Sequence, residues 1–170
     1  MRRGNSNNRD RFGEPANEQR ELPRNLEAEQ ALLGALLVNN AAYDAVASFF
    51  EIEHFSEPLH QRIYAVIADS VRVGRIATPV TLKAYLPADL MVGDMTVGEY
   101  LSHLVAEAVT VVNAPDYARV VRDLALRRTL IERLSEAVDE AYTADISTPP
   151  WDLIERTETA LSKLSSSASE

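Results

Sequence analysis

The amino-acid sequence predicts an all-α fold, and three observations predict it. Apolar residues recur at the spacing of a helix through most of residues 25–164. Residue types that begin helices precede several of these runs. No convincing pair of strands is present, because the β-branched stretch at 108–112 is short and stands alone. The helix-starting signals are Asn25, Ser56 with Pro58, Thr78 with Pro79, and the capping box Thr96-x-x-Glu99.

The first predicted helix begins after Asn25, runs to about Asn39 and has one apolar face. Glu27 and Glu29 stand in its first turn, where acids favour the positive end of the helix dipole. Gly34 costs this helix about 1 kcal/mol relative to alanine, which indicates close packing of another helix or a tolerated defect. The next helices are a short one containing Tyr43 to Phe50, one from Pro58 to Gly74, a brief one from Thr78 to Leu86, and one after Thr96.

The longest periodic run starts at Asn113 and extends over about 27 residues, roughly 40 Å of helix. Thr148-Pro149-Pro150 ends it and begins a final helix, long enough to fold back as the second arm of a helical hairpin. We predict that its apolar stripe forms the hairpin seam and a dimer contact; the alternative is burial entirely within the chain. The stripe consists of Tyr117, Val121, Leu124, Ile131, Leu134 and Val138, with Trp151, Ile154 and Leu161 from the return helix.

The amino-acid composition excludes or disfavours several classes of protein. The 170 residues include 26 acids and 17 bases, for a net charge of −9, and this acidic balance argues against a nucleic-acid-binding role for the domain as a whole. The absence of cysteine excludes disulfides, thiol catalysis and thiolate zinc sites. No run of about eighteen apolar residues is present, so nothing points to a membrane, and a cytoplasmic location is expected.

The charge and composition also divide the chain into segments. Residues 1–24 hold six arginines and four acids without an apolar period, which is typical of a disordered tail. Residues 25–112 are predicted to form a globular helical bundle and 113–164 the hairpin. The serine-rich end at 165–170 has the composition of a linker, so the chain resembles a domain of a longer protein.

No nucleotide-binding or catalytic motif is found. The nearest approach to a phosphate-binding loop is Gly93-Asp94-Met95-Thr96-Val97-Gly98, and it is followed by Glu99 and Tyr100 where a lysine and a hydroxyl residue are required. We therefore interpret it as a loop that leads into a helix cap. No cofactor or catalytic residue is expected in this chain.

Two carboxylate-histidine pairs have the spacing that metal-binding helices use, Glu51-x-x-His54 and Glu57-x-x-His60. They lie close together across a probable helix break, so they cannot easily converge from opposing helices. Surface histidines beside solvated acids are the favoured interpretation. A metalloenzyme using His54 and His60 is kept as an alternative.

Arginines are interleaved with acids along the long helix. This pattern is typical of a salt-bridged helix face or a protein interface, and the acids argue against contact with DNA. The arginines are Arg119, Arg122, Arg127, Arg128 and Arg133.

The segment from Pro23 to Gly34, PRNLEAEQALLG, resembles the opening of the N-terminal domain of the bacterial replicative DNA helicase DnaB. Further matches keep the order of that family over residues 23–164. They are Phe55 with His60, Ile63 and Tyr64; Thr81-Leu82; Tyr100-Leu101-x-x-Leu104; Asn113-x-x-x-Tyr117-Ala118-x-Val120-Val121-Arg122; and Arg128-x-Leu130-Ile131. The chain departs from the family at Gly98-Glu99, where a Gly-Gly doublet is usual, and the segment before it is compressed.

The resemblance implies a compact bundle of about six helices with a projecting hairpin, the collar of a six-membered ring built as three dimers. It implies docking of a DnaG-type primase and, in some systems, a helicase loader. It places ATP, Mg²⁺ and DNA on a C-terminal RecA-like domain that this chain lacks. With the hairpin stripe, Arg128 is assigned to the oligomer or partner interface on the same basis.

The expected function is therefore ring assembly and partner docking in DNA replication. Two alternatives remain open: a stand-alone loader or inhibitor that binds the helicase ring, and a DNA-binding module that uses the arginine-rich tail.

Overall fold

The computed structural model describes residues 21–108 and 113–168. The regular elements in these ranges are helices apart from one pair of two-residue strands, so the all-α prediction is confirmed. Most of the predicted tail, 1–20, lies outside the described residues, as do 109–112 of the β-branched stretch and 169–170. The elements are α1 (Leu26–Val38), α2 (Ala42–Val46), a 3₁₀ turn (Ile52–His54), α3 (Pro58–Arg72), α4 (Pro79–Lys83), β1 (Met91–Val92), β2 (Met95–Thr96), α5 (Val97–Ala106), α6 (Ala114–Thr143) and α7 (Pro150–Ala168).

The strand pair corrects the expectation that none would form. β1 and β2 are antiparallel, with Met91 opposite Thr96, and Gly93 supplies the positive φ of the tight turn between them. Two residues a strand are too few to produce an alternating sequence pattern, which is why sequence reasoning missed the pair.

The predicted helix starts at Asn25, Thr78 and Thr96 are confirmed by their side-chain hydrogen bonds, whereas α3 begins after Glu57 without a cap from its own N-cap side chain. Asn25 Oδ1 accepts from the Ala28 amide at 3.0 Å at the start of α1. Thr96 and Glu99 form the reciprocal capping box of α5, because each side chain accepts a hydrogen bond from the other's backbone N–H. The loop from Gly93 thus leads into a helix cap, as the sequence indicates.

Helix α1 is central to the body, which comprises residues 21–108 and the first part of α6. It packs against α3, α5 and α6, so the predicted single apolar face is wrong: residues on several sides of α1 are buried. The buried positions are Ala28, Glu29, Leu32, Leu33, Gly34, Ala35, Leu36 and Leu37.

Gly34 marks the crossing of α1 and α5, which confirms the close packing suggested by the sequence. A Cβ atom at this position would lie 2.3 Å from the backbone carbonyl oxygen of Leu104. The backbone of α5 cannot withdraw locally as a flexible side chain could. The glycine is therefore required by the distance between the two helices.

A buried carboxylate joins α1 to α3. Glu29 is 1% exposed, and its Oε1 accepts from the Ser56 amide at 2.8 Å and from the Ser56 hydroxyl at 2.6 Å. Its Oε2 accepts from the Glu57 amide at 3.4 Å and lies 2.6 Å from His60 Nδ1. Glu29 thus caps the start of α3 from another helix, where the helix dipole favours a negative charge.

The chain of hydrogen bonds continues from His60 to α5. His60 Nε2 lies 2.6 Å from the Tyr100 hydroxyl, which also accepts from Gln30 Nε2 at 3.1 Å. With the proton on Nδ1 donated to Glu29, Nε2 accepts from Tyr100 and each group is satisfied. His60 is buried, so its assignment as a surface histidine is wrong.

This arrangement sets the ionisation of Glu29. Burial alone would raise the pKa of the carboxyl group, but the hydrogen bonds from His60 and Ser56 together outweigh it and hold the pKa below its ordinary value. Glu29 is therefore a carboxylate in the folded chain near neutral pH. Both of its oxygens are engaged by donors.

We predict that Gly34→Ala destabilises the fold by about 1–3 kcal/mol, because the added methyl group collides with the Leu104 carbonyl. Urea unfolding monitored by circular dichroism measures the free energy of unfolding. Gly98→Ala is the matched control: its Cβ meets only the flexible Lys83 side chain, at 3.2 Å or more. Equal stability of Gly34→Ala and wild type would contradict the packing argument.

We predict that Glu29→Gln lowers the free energy of unfolding by about 2–4 kcal/mol at neutral pH, because an amide cannot accept all four hydrogen bonds. The pKa of Glu29 is lower in the folded chain than its ordinary value of 4.5, so the ionised carboxylate stabilises the fold at pH values above 4.5. This contribution is lost as the pH falls through the folded pKa. The difference between the variant and wild type should therefore shrink in acid. Urea titrations from pH 7 to pH 3 measure it, with the exposed Glu27→Gln as control. A difference that stays constant with pH would rule out the carboxylate charge as its source.

Candidate protein interface

The first part of α6 packs on the body and the second part projects from it. Its buried residues are Ala114, Ala118, Val121 and Ala125, spaced so that they share one helix face. From Leu126 onward, no described residue of α6 is buried. The projecting part forms an antiparallel hairpin with α7.

The two arms of the hairpin contact each other through small and apolar side chains. Half-buried residues on α7 recur at helical spacing and form one stripe, and on α6 the half-buried Ala137 and Glu140 serve the same seam. Glu140 also accepts a hydrogen bond from Arg156 and forms an ion pair with it. The α7 stripe consists of Leu153, Thr157, Ala160, Leu161 and Leu164.

A second set of apolar residues on the hairpin is exposed to solvent. On α6 the spacing between them is three, four and four residues, which gives a continuous stripe. Leu134 is 42% exposed, Tyr142 87% and Trp151 69%. We call this set the hairpin face; it consists of Ile131, Leu134, Val138 and Tyr142 on α6, Ile146 in the connection, and Trp151 and Ile154 on α7.

Helix geometry places the residues of the hairpin face on one side of the hairpin. Each arm has one set of residues in the seam and another set exposed to solvent. At about 3.6 residues per turn, the angle about the helix axis from the seam set to the exposed set has the same sense on both arms. In an antiparallel pair, an equal sense of rotation brings the two sets to the same side. The result is an apolar surface, rimmed by charged residues, that no other residue in the described ranges covers.

The structure separates the stripe predicted from the sequence into three groups. Val121 belongs to the core and is buried, so its assignment to a dimer contact is wrong, because the first part of α6 is covered by the body. Tyr117 packs against that core and Leu124 is half-buried. Leu161 lies in the seam between the arms. The remaining predicted residues, Ile131, Leu134, Val138, Trp151 and Ile154, are exposed.

Tyr142 and Ile146 of the hairpin face were missed by sequence reasoning. They continue the stripe at intervals of four residues from Val138. Extending the periodic count to the end of the run would have found both.

Arg128 has an intramolecular role, and its assignment to the interface stays a prediction. Its guanidinium donates to the carbonyl oxygens of Pro23 at 2.9 Å and His54 at 2.8 Å. Burial lowers the pKa of Arg128, while the charges of Glu29 and Glu132 act in the opposite direction. Arg128 therefore anchors α6 to the segment before α1 and to the 3₁₀ turn.

Two other arginines of α6 form ion pairs within the helix. Arg119 pairs with Asp116 at 2.7 Å and Arg133 with Glu136 at 2.8 Å. This agrees with the predicted salt-bridged helix face. Exposed pairs of this kind contribute little to stability, about 0–1 kcal/mol.

A cavity of about 330 Å³ lies where the body meets the hairpin. His54 lines it, and its Nδ1 accepts from the Glu51 amide at 3.0 Å, within the 3₁₀ turn. Burial lowers the pKa of His54, and Arg122 and Arg128 add to that effect. In the described ranges, no three residues with metal-binding side chains are grouped closely enough to hold a metal ion.

No helix in the described part of the chain has the length and apolar character needed to cross a membrane.

Comparison with known sequences identifies related proteins. The family described as "DnaB-like helicase N terminal domain" matches residues 21–123. The replicative DNA helicase DnaB of Rickettsia bellii is 42% identical over 147 residues, which are 86% of this chain and 30% of that protein. The corresponding protein of Mycobacterium leprae is 32% identical over 123 residues, 72% of this chain and 20% of that protein. The chain thus spans less than a third of the length of these relatives.

Solved structures show the same fold. The crystal structure of the N-terminal domain of DnaB helicase from Mycobacterium tuberculosis matches with a TM-score of 0.74 and 28% identity, covering 84% of this chain and 99% of that one. A DnaB-like replicative helicase, described together with its interactions with primase, matches with a TM-score of 0.62 over 82% of this chain and 31% of that one. At 21% identity the second match shows the fold alone.

Proposed function

The chain belongs to the DnaB-like helicase N-terminal domain family, and from this premise we propose that it assembles a replicative helicase ring and docks its partners. The hairpin face carries the proposal. It exposes seven apolar residues on one side of two helices, including a tryptophan and a tyrosine, which are enriched in protein interfaces. A large exposed apolar surface is typical of a site where another protein packs.

We propose that the first partner of the hairpin face is a second copy of the chain. The stripe on α6 has the spacing of three and four residues that lets helices pack side by side. A two-fold axis through the hairpin would bring the same face of both copies together, the commonest symmetry for a dimer. Three such dimers would form the six-membered collar that the family resemblance implies.

The other activities of a replicative helicase are proposed for the remainder of a longer protein. We propose that ATP, Mg²⁺ and DNA bind there; the chain's 30% share of a relative's length and its net charge of −9, which is unsuited to a DNA channel, support this. A DnaG-type primase and a helicase loader are proposed to dock on the assembled collar. The proposed location is the bacterial cytoplasm, at the replication fork.

We predict that Leu134→Asp converts the self-associated chain into monomers of 18.8 kDa, because a charge would be buried at the centre of the hairpin face. Leu134 is a better test than the half-buried Leu124, where a charge would also disturb packing within the chain. Sedimentation equilibrium measures the mass. Circular dichroism checks that the helices remain.

The matched control is Val38→Asp, which places the same charge at an exposed aliphatic residue of the body, 49% exposed. It should assemble like wild type. An unchanged mass for Leu134→Asp, or a wild-type chain that stays monomeric at high concentration, would contradict self-association through this face.

A further inference from the structure

A second exposed apolar surface lies on the body, where α3 ends and α4 begins. Its apolar members are Val73, Ile76, Val80 and Tyr85, of which Val80 is 83% exposed. With Arg75 and Lys83, which are also exposed, we call this surface the basic ridge. We propose that the basic ridge binds an acidic segment of a partner protein that also carries apolar side chains.

The backbone of this segment holds its apolar residues outward. Ala77, Leu82 and Leu86 are buried and tie the segment to the core. Since α4 has only five residues, turning Leu82 inward directs Val80 and Lys83 to solvent. The exposure of the ridge follows from the path of the backbone.

The ridge is held in place by hydrogen bonds on both sides. The side-chain amide of Asn40 clamps Ala77, since its Nδ2 donates to the Ala77 carbonyl at 2.9 Å and its Oδ1 accepts from the Ala77 amide at 2.7 Å. Thr78 and Thr81 form a reciprocal capping box at the start of α4. A surface fixed in this way loses little conformational entropy when a partner binds.

The charge of this region is opposite to that of the chain. Residues 70–88 contain three basic and no acidic residues, within a chain of net charge −9. Arg72 forms an ion pair with Asp69 at 3.9 Å, so Arg75 and Lys83 are the cations of the ridge. Arg75 donates to the Tyr85 hydroxyl at 2.6 Å and lies 5.3 Å from the centre of its ring, so its described contact is aromatic. Arginine and tyrosine are the residue types that contribute most to binding at protein interfaces.

A shallow groove of about 640 Å³ runs beside the ridge between α4 and α5. Val80 and Lys83 line one side and Ser102 the other, and the stem of Lys83 lies over Gly98. Glu99 also lines the groove, but its carboxylate accepts from the Thr96 amide and hydroxyl, each at 2.8 Å. The groove offers Val80 as an apolar contact, with the Lys83 cation and the Glu99 carboxylate at its edge.

These features favour a protein segment over a nucleic acid. A polyanion would need a continuous, unopposed basic stripe, whereas the ridge carries two cations, Arg75 and Lys83, set among exposed apolar side chains. A short acidic segment can place its carboxylates on Arg75 and Lys83 and its apolar side chains on Val80 and Ile76. This inference does not depend on the hairpin face.

The test uses the whole chain and a fluorescein-labelled helical peptide of about 18 residues, with leucines on one face flanked by glutamates. Fluorescence anisotropy should show saturable binding to wild type. The double variant Arg75→Glu, Lys83→Glu should bind at least about tenfold more weakly, because two interfacial charges are reversed. The neutral pair Arg75→Gln, Lys83→Gln should give a smaller loss, and Val80→Ser should weaken binding about threefold to tenfold.

Matched controls separate the ridge from general effects. Lys163→Glu, Val38→Ser and Leu134→Asp should each bind like wild type, the last even if it abolishes assembly. Any of four results would overturn the proposal: no saturable binding; equal losses in Lys163→Glu and the double variant; equal binding of a peptide with lysines in place of glutamates; or binding of a single-stranded oligonucleotide that the double variant abolishes.

Discussion

The buried carboxylate of Glu29 is the constraint on which the arrangement of the body depends. An ionised carboxylate in a core is tolerated only when donors surround it. Here those donors come from the start of α3, so α1 and α3 must meet at one register. His60 is hydrogen-bonded in turn to Tyr100, so the position of α5 is also fixed. A single charged group thereby fixes three helices relative to one another and caps one of them.

The same region also determines where the hairpin leaves the body. Arg128 lies near Glu29 and donates to the carbonyl oxygens of Pro23, just before α1, and of His54, in the 3₁₀ turn just before α3. N-terminal to Arg128, one face of α6 is covered by the body; C-terminal to it, α6 packs against α7. The 30-residue helix thus connects a packed unit to an arm with one face that the described part of the chain leaves exposed. The hairpin face is exposed because the body ends there.

Local signals in the sequence predicted much of the fold, and long-range pairing decided the rest. Caps such as Asn25 and Thr96 act within four residues, so spacing along the chain revealed them. His60 was misassigned because its partners lie 31 and 40 residues away, and nothing near it in sequence marks them. Periodicity found the stripe on α6 but could not show that the body covers Val121 and leaves Leu134 exposed. The tertiary structure was therefore needed to show which residues of the stripe are available to an interface.

The two exposed surfaces should respond to salt in opposite directions. Between residues 130 and 164 the hairpin has eight acidic and three basic residues, so two copies that meet through the hairpin face bring like charges together, and salt screens that repulsion. The basic ridge attracts its ligand by charge, and salt screens that attraction. Raising sodium chloride from about 50 to 500 mM should strengthen self-association and weaken binding of the acidic peptide. Sedimentation and anisotropy over the same salt series measure both. A parallel response would contradict the opposite charges that we assign to the two surfaces.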